Sequence, residues 1–204
     1  MRKLLFVVTT AVMFFASCTK GDDQGIPPKN GANGDFTASF AESSLSLNGK
    51  AMAWDENDCV AIFTKTAAKR KYQAKEVSKD GSTATFGYVS HTEGDFPTIT
   101  SNYAVYPYDI NASLSGSTIT TTLAATQNYK VATGKLDYAI MVAKSESNNL
   151  SFVNAGALMQ FNVSKSIPDA CTLKAIKVTS SAKKIAGKVT INCGRDTYTA
   201  VVSA

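Results

Sequence analysis

In Ile176-Lys177-Val178-Thr179 and in Lys188-Val189-Thr190-Ile191-Asn192, apolar and polar side chains alternate residue by residue. A period of two places every second side chain on one face, which is the pattern of a strand with one face in a core and the other in water. Ser181 to Lys184 lies between the two runs, so they read as a hairpin pairing Ile176 with Val189. That register also bears on Cys171 and Cys193, which it places on opposite faces unless a bulge, for instance at Gly187, shifts the pairing. A Cys171–Cys193 bridge is therefore disfavoured, though not excluded, by the pairing.

Working outward, the same short runs of Val, Ile, Thr, Tyr and Phe recur between clusters of Gly, Asn, Asp and Ser. They predict strands at Phe36–Phe40, Cys59–Thr64, 71–75, 84–88, 103–108, Thr118–Leu123, 138–143, 158–163, 173–179, 188–192 and 197–202. No amphipathic helix of useful length interrupts them. Many short strands in 204 residues predict an all-β fold, read as a two-sheet Greek-key β-sandwich with short helices or none. Ala61, Phe63, Phe86, Ile140, Phe161, Ile176 and Val189 are the expected core.

Composition narrows the chemistry. The chain is 44% hydrophobic, 18% charged and 9% aromatic, the balance of a globular protein. It has one histidine, His91, and four cysteines at 18, 59, 171 and 193, with no spacing that builds a zinc or haem site. Neither a metal nor another cofactor is called for. The formal charge is +5, and Arg2 and Lys3 supply two of those positive charges from a segment read below as removed. Without a dense basic stripe, nucleic acid is not an expected partner.

The N-terminus carries an address. Arg2 and Lys3 precede an apolar run at 4–15, broken only by Thr9 and Thr10, and then Ala16-Ser17-Cys18. This is the charged, apolar, small-residue order of a secretory signal, and the run is too short to span a bilayer permanently. Phe15-Ala16-Ser17-Cys18 resembles a bacterial lipobox, which implies a signal peptide over 1–17 and acylation of Cys18 as the new N-terminus. Residues 18–35 hold four glycines, Pro27-Pro28 and almost no apolar side chain, so they read as a flexible tether. As a coil it would hold the folded part roughly 20–25 Å from the lipid.

Several blocks then occur in an order that resembles the fimbrillin family of Bacteroidales, the lipoprotein pilins of type V fimbriae and their Mfa-like relatives. They are Trp54 followed by Asp58 and Ala61-Ile62-Phe63, Phe86, Tyr103-Ala104-Val105-Tyr106-Pro107-Tyr108, Leu123-Ala124-Ala125-Thr126-Gln127, Leu150-Ser151-Phe152 with Ala155, Leu158 and Phe161, and Ile185-Ala186-Gly187. The resemblance implies a transthyretin-like β-sandwich over 36–204, the N-terminal one of two domains, with the second expected beyond Ala204. It also implies an outer-membrane lipoprotein exposed at the cell surface, a structural subunit of fimbriae assembled by strand exchange and acting in adhesion. Its partners would be other pilin subunits, the outer membrane through its lipid, and a host or bacterial surface ligand. Phe36, Ala38 and Phe40, alternating with Thr37 and Ser39, are the expected strand-exchange segment. No arginine lies between Arg2 and Arg70, so a cut freeing that strand would fall at a lysine such as Lys29 or Lys50. The rival reading is a monomeric surface lipoprotein that binds a glycan or host ligand through its loops.

An enzyme is not expected. His91 stands near Glu93 and Asp95, but no serine in a nucleophile elbow accompanies it. Trp54 with Asp58 has the form of a sugar-stacking platform, yet a lone Trp at a strand entry is more often core. Tyr103, Tyr106 and Tyr108 read as core and edge residues, with strict alternation separating Tyr103 from the other two and Pro107 ending the strand. Lys69-Arg70-Lys71 reads as a solvated loop cluster.

Overall fold

The computed structural model describes residues 34–41, 46–47, 50–64, 68–92, 99–130, 135–136, 139–156, 176–181, 184–194 and 198–202. They form fifteen strands: β1 (Phe36–Phe40), β2 (Ser46–Leu47), β3 (Lys50–Ala51), β4 (Cys59–Thr64), β5 (Ala68–Val77), β6 (Thr83–Thr92), β7 (Asn102–Tyr106), β8 (Ser113–Ser115), β9 (Thr118–Leu123), β10 (Tyr129–Lys130), β11 (Lys135–Leu136), β12 (Met141–Ser145), β13 (Asn149–Asn154), β14 (Gly187–Asn192) and β15 (Thr199–Val202). Among the described residues there is no helix, and the chain is all-β.

Seven strands close into a barrel in the order β1-β13-β12-β7-β4-β5-β6, with β6 pairing back to β1. A four-stranded antiparallel sheet, β15-β14-β9-β8, is separate, as are the small β2-β3 and β10-β11 ribbons. The expected two-sheet Greek-key arrangement is thus not plainly what forms. Its physical reason is visible in the middle strands. β4, β7 and β12 are apolar at consecutive positions, as in Tyr103-Ala104-Val105-Tyr106, so both their faces need cover.

Parity sorts those faces into two cores. Val60, Ile62, Ala104, Tyr106, Met141 and Ala143 point into the barrel with Tyr72, Phe86, Leu150 and Phe152. Ala61, Phe63, Tyr103, Val105, Ile140 and Val142 point outward and meet Leu114, Ile119, Val189 and Ile191 of the four-stranded sheet. Ala61, Phe63, Phe86, Ile140 and Val189 are buried as expected, while Phe161 lies outside the described residues. Ile176 departs from expectation at 47% exposed, and Val178 at 44%. The expected hairpin with 188–192 does not form, because β9 and β15 occupy the two edges of β14. Residues 176–179 carry the alternation but are not part of a strand.

Candidate functional site

β1 stands out in the barrel because its pairing with β13 is parallel, whereas the other barrel pairs are antiparallel. Its sequence, Phe-Thr-Ala-Ser-Phe, gives inward side chains at 36, 38 and 40 and outward ones between. Against β6 it runs antiparallel, with Phe36 opposite Phe86 and Ala38 opposite Ala84. Against β13 it runs parallel, with Ala38 beside Leu150 and Phe40 beside Phe152. Backbone bonds extend the ladder at both ends, from Thr37 N to Asn148 O at 2.9 Å and from Ala41 N to Phe152 O at 2.9 Å.

Side chains then fix its register. The Phe36 ring meets Tyr72 edge-on, centroids 5.0 Å apart, and is itself buried. Phe40 lies flat on Trp54, 4.7 Å away and 14° from parallel. At the strand's start, Lys75 Nζ donates to Asp35 Oδ1 at 3.0 Å, and Asn148 Nδ2 donates to Asp35 O at 3.2 Å. Gly87 makes room for that lysine: a Cβ there would fall 1.8 Å from Lys75 Cε. Phe36, Ala38 and Phe40, expected from alternation, are therefore brought together with β6 and β13; Cys18 lies outside the described residues.

Trp54 reaches the barrel interior from the loop before β4. Its ring meets Phe86 at 5.2 Å, Phe152 at 5.2 Å and Tyr106 at 5.6 Å, all edge-on. The loop is held by Trp54 N donating to Gly81 O at 2.8 Å. Gly81 has φ +71°, and a Cβ on it would lie 2.6 Å from Ala53 Cβ, so the close approach requires glycine there. Asp58 is buried too: Oδ1 accepts from the Tyr106 hydroxyl at 2.9 Å and Oδ2 from Asp55 N at 2.8 Å. The Trp54–Asp58 pair is core, and not a platform for a ligand.

Other residues singled out in the sequence fall differently. Tyr103 and Tyr108 share the outer core and Tyr106 the inner one, because the chain leaves β7 at Pro107 and strict alternation stops there. Lys69-Arg70-Lys71 is not a loop but part of β5, with Lys69 and Arg70 both buried. Lys69 Nζ donates to Ile110 O, and to Ala112 O at 3.0 Å, and burial pushes its pKa down against the pull of Asp109. Asp109 in turn accepts from Asn111 N at 2.8 Å, Thr121 Oγ1 at 3.1 Å and Thr122 N at 3.1 Å, which fastens the loop after β7 to β9. Position in a charged run hid this, since only tertiary packing supplies the two carbonyls.

His91 is exposed, its Nδ1 2.7 Å from the Tyr88 hydroxyl, and Glu93 and Asp95 lie outside the described residues. Cys193 is a buried free thiol whose pKa burial raises to about 11, and Cys171 lies outside the described residues. Cys59 is a half-buried free thiol, its pKa also raised by burial, with Lys71 opposing. Among the described residues no group of three or more His, Cys, Asp or Glu could hold a metal ion. No protein-family model, curated protein or solved structure matches the chain.

Proposed function

We propose that the chain is a surface-anchored, fimbrillin-like lipoprotein, a structural subunit of cell-surface fimbriae that joins other pilin subunits by strand exchange and serves adhesion. In this reading residues 1–17 are removed, Cys18 carries the lipid in the outer membrane, 18–35 are the tether, and 36–204 belong to the fimbrillin-like N-terminal domain. The work of the subunit is mechanical and adhesive, without catalysis. The observation that carries the reading is β1: a five-residue strand near the chain's N-terminal side closes the barrel between β13 and β6. Lifting it out would uncover two strand edges with unpaired donors and acceptors, together with the apolar positions under Phe36, Ala38 and Phe40. A strand from another subunit could restore both.

The transthyretin-like sandwich is proposed in a specific form. The β15-β14-β9-β8 sheet is one layer, and the outward faces of β4, β7 and β12 are the layer it covers. The test is made on native surface fibres, sheared from the source bacterium and blotted for this chain. The reading expects it in a high-mass ladder that persists in mild detergent, beginning beyond β1. Recovery only as an intact lipidated monomer in the outer-membrane fraction would contradict the fimbrial role and favour a monomeric ligand-binding lipoprotein.

A further inference from the structure

Resting on the strand-exchange reading, we infer that the slot between β13 and β6 selects its occupant at the middle position. It takes an extended segment of another subunit whose side chains run large, outward, small, outward, large, and Ala38 marks the position that admits only a small side chain.

The three inward positions of β1 are unequal. Phe36 and Phe40 each have a ring partner, Tyr72 and Trp54, and so occupy places shaped for a large flat side chain. Ala38, between them, is fully buried. Its register partners are Ala84 on one side and Leu150 on the other, both buried at 3% and 1% exposed. The barrel interior is already filled from the centre by Trp54, whose ring meets those of Phe86, Tyr106 and Phe152. A close-packed interior has no slack for an isobutyl group in place of the methyl at 38, so a larger residue must displace its neighbours or hold the strand off its ladder. Thr37 points outward and is exposed, and Ser39 is half-buried, so neither position restricts the occupant comparably. The slot thus distinguishes this pattern from a strand of continuous Val, Ile or Leu. The chain itself holds strands with a large side chain at such a middle position, as Ile62 between Val60 and Thr64, and an open slot that took them would invite wrong pairings.

The experiment uses the full chain with a protease site introduced between β1 and β2, so that cutting leaves β1 in place but no longer tethered. Fluorescent peptides of sequence 34–41 are then offered, and entry is read by anisotropy. Because every substitution sits in the peptide, the receiving chain is the same in each arm. The unchanged peptide enters, and Thr37→Glu binds about as well. Phe36→Ala binds about a hundredfold or more weakly, from the cost of removing a buried ring. Ala38→Leu binds about ten- to a hundredfold more weakly, from overpacking. An Ala38→Leu peptide that enters as readily as the unchanged one overturns the inference and leaves strand exchange standing. An unchanged peptide that never enters overturns strand exchange itself, and the inference with it.

Discussion

Replacing Trp54 by alanine tests the barrel interior and the hold on β1 together. The side chain is 3% exposed and is the common neighbour of four rings, from β1, β6, β7 and β13. Truncating a buried aromatic of this size costs about 3–5 kcal/mol through lost transfer energy and the cavity left behind. Each of the four ring pairs is worth about 0.5–1.5 kcal/mol beyond its area, although relaxation recovers part of that. The expectation is therefore the upper part of the range, about 4–5 kcal/mol, a large share of the ~5–15 kcal/mol that holds a domain folded. Urea unfolding followed by far-ultraviolet circular dichroism measures it without relying on the fluorescence that the substitution removes. Trp54→Phe should recover more than half of that loss, because a smaller ring can still stack on Phe40. A cost for Trp54→Ala under about 1 kcal/mol would refute the reasoning, and would mean that the ring serves a surface rather than the core.

Tyr106→Phe should cost about 1.5–3 kcal/mol in the same assay, because the buried Asp58 carboxylate loses the donor 2.9 Å away; a neutral result would mean that water replaces the hydroxyl. Gly87→Ala should displace Lys75 from Asp35 and lower stability by at most about 1 kcal/mol, as befits an exposed pair, and it should have no further effect in a Lys75→Ala background. Asp80 is held at a pKa of about 2 by hydrogen bonds from Ser78 and Ser82. Since that is below its ordinary value, its contribution is complete above pH about 4 and fades as pH falls toward 2; Asp80→Asn should flatten that part of an acid titration of stability. Site-resolved thiol labelling of the native chain should modify Cys59 well before Cys193, whose thiol is fully buried and titrates near 11, and equal rates would contradict its burial.

The strands that face water on one side were legible: Val189 and Ile191 point inward and Lys188 outward, as the period of two requires. Where both faces are covered, alternation disappears, and β7 could be read as a strand but not as one shared between two cores. Alternation also carries no information about partners. Ile176 and Val178 have the pattern without the strand, because β14 has both edges occupied. At the candidate site, Phe36, Ala38 and Phe40 were legible as one face. Their neighbours were not, since Tyr72, Trp54 and Lys75 reach β1 only through closure of the barrel. β13 illustrates the same limit from the other side: Leu150-Ser151-Phe152 stood out as a sequence block, while its parallel pairing with β1 is a property of the tertiary fold.

The claim that β1 is a separable part of the barrel is tested most directly by native-state hydrogen exchange on the full chain, resolved by peptide mass spectrometry across a denaturant series. Separability predicts that the amides of Phe36–Phe40 exchange through an opening of lower free energy than those of Cys59–Thr64 and Asn102–Tyr106, with the facing edges of Asn149–Asn154 and Thr83–Thr92 losing protection in the same step. If the β1 amides instead exchange only with global unfolding, together with those of β4 and β7, the strand is an inseparable part of the core and the account is wrong.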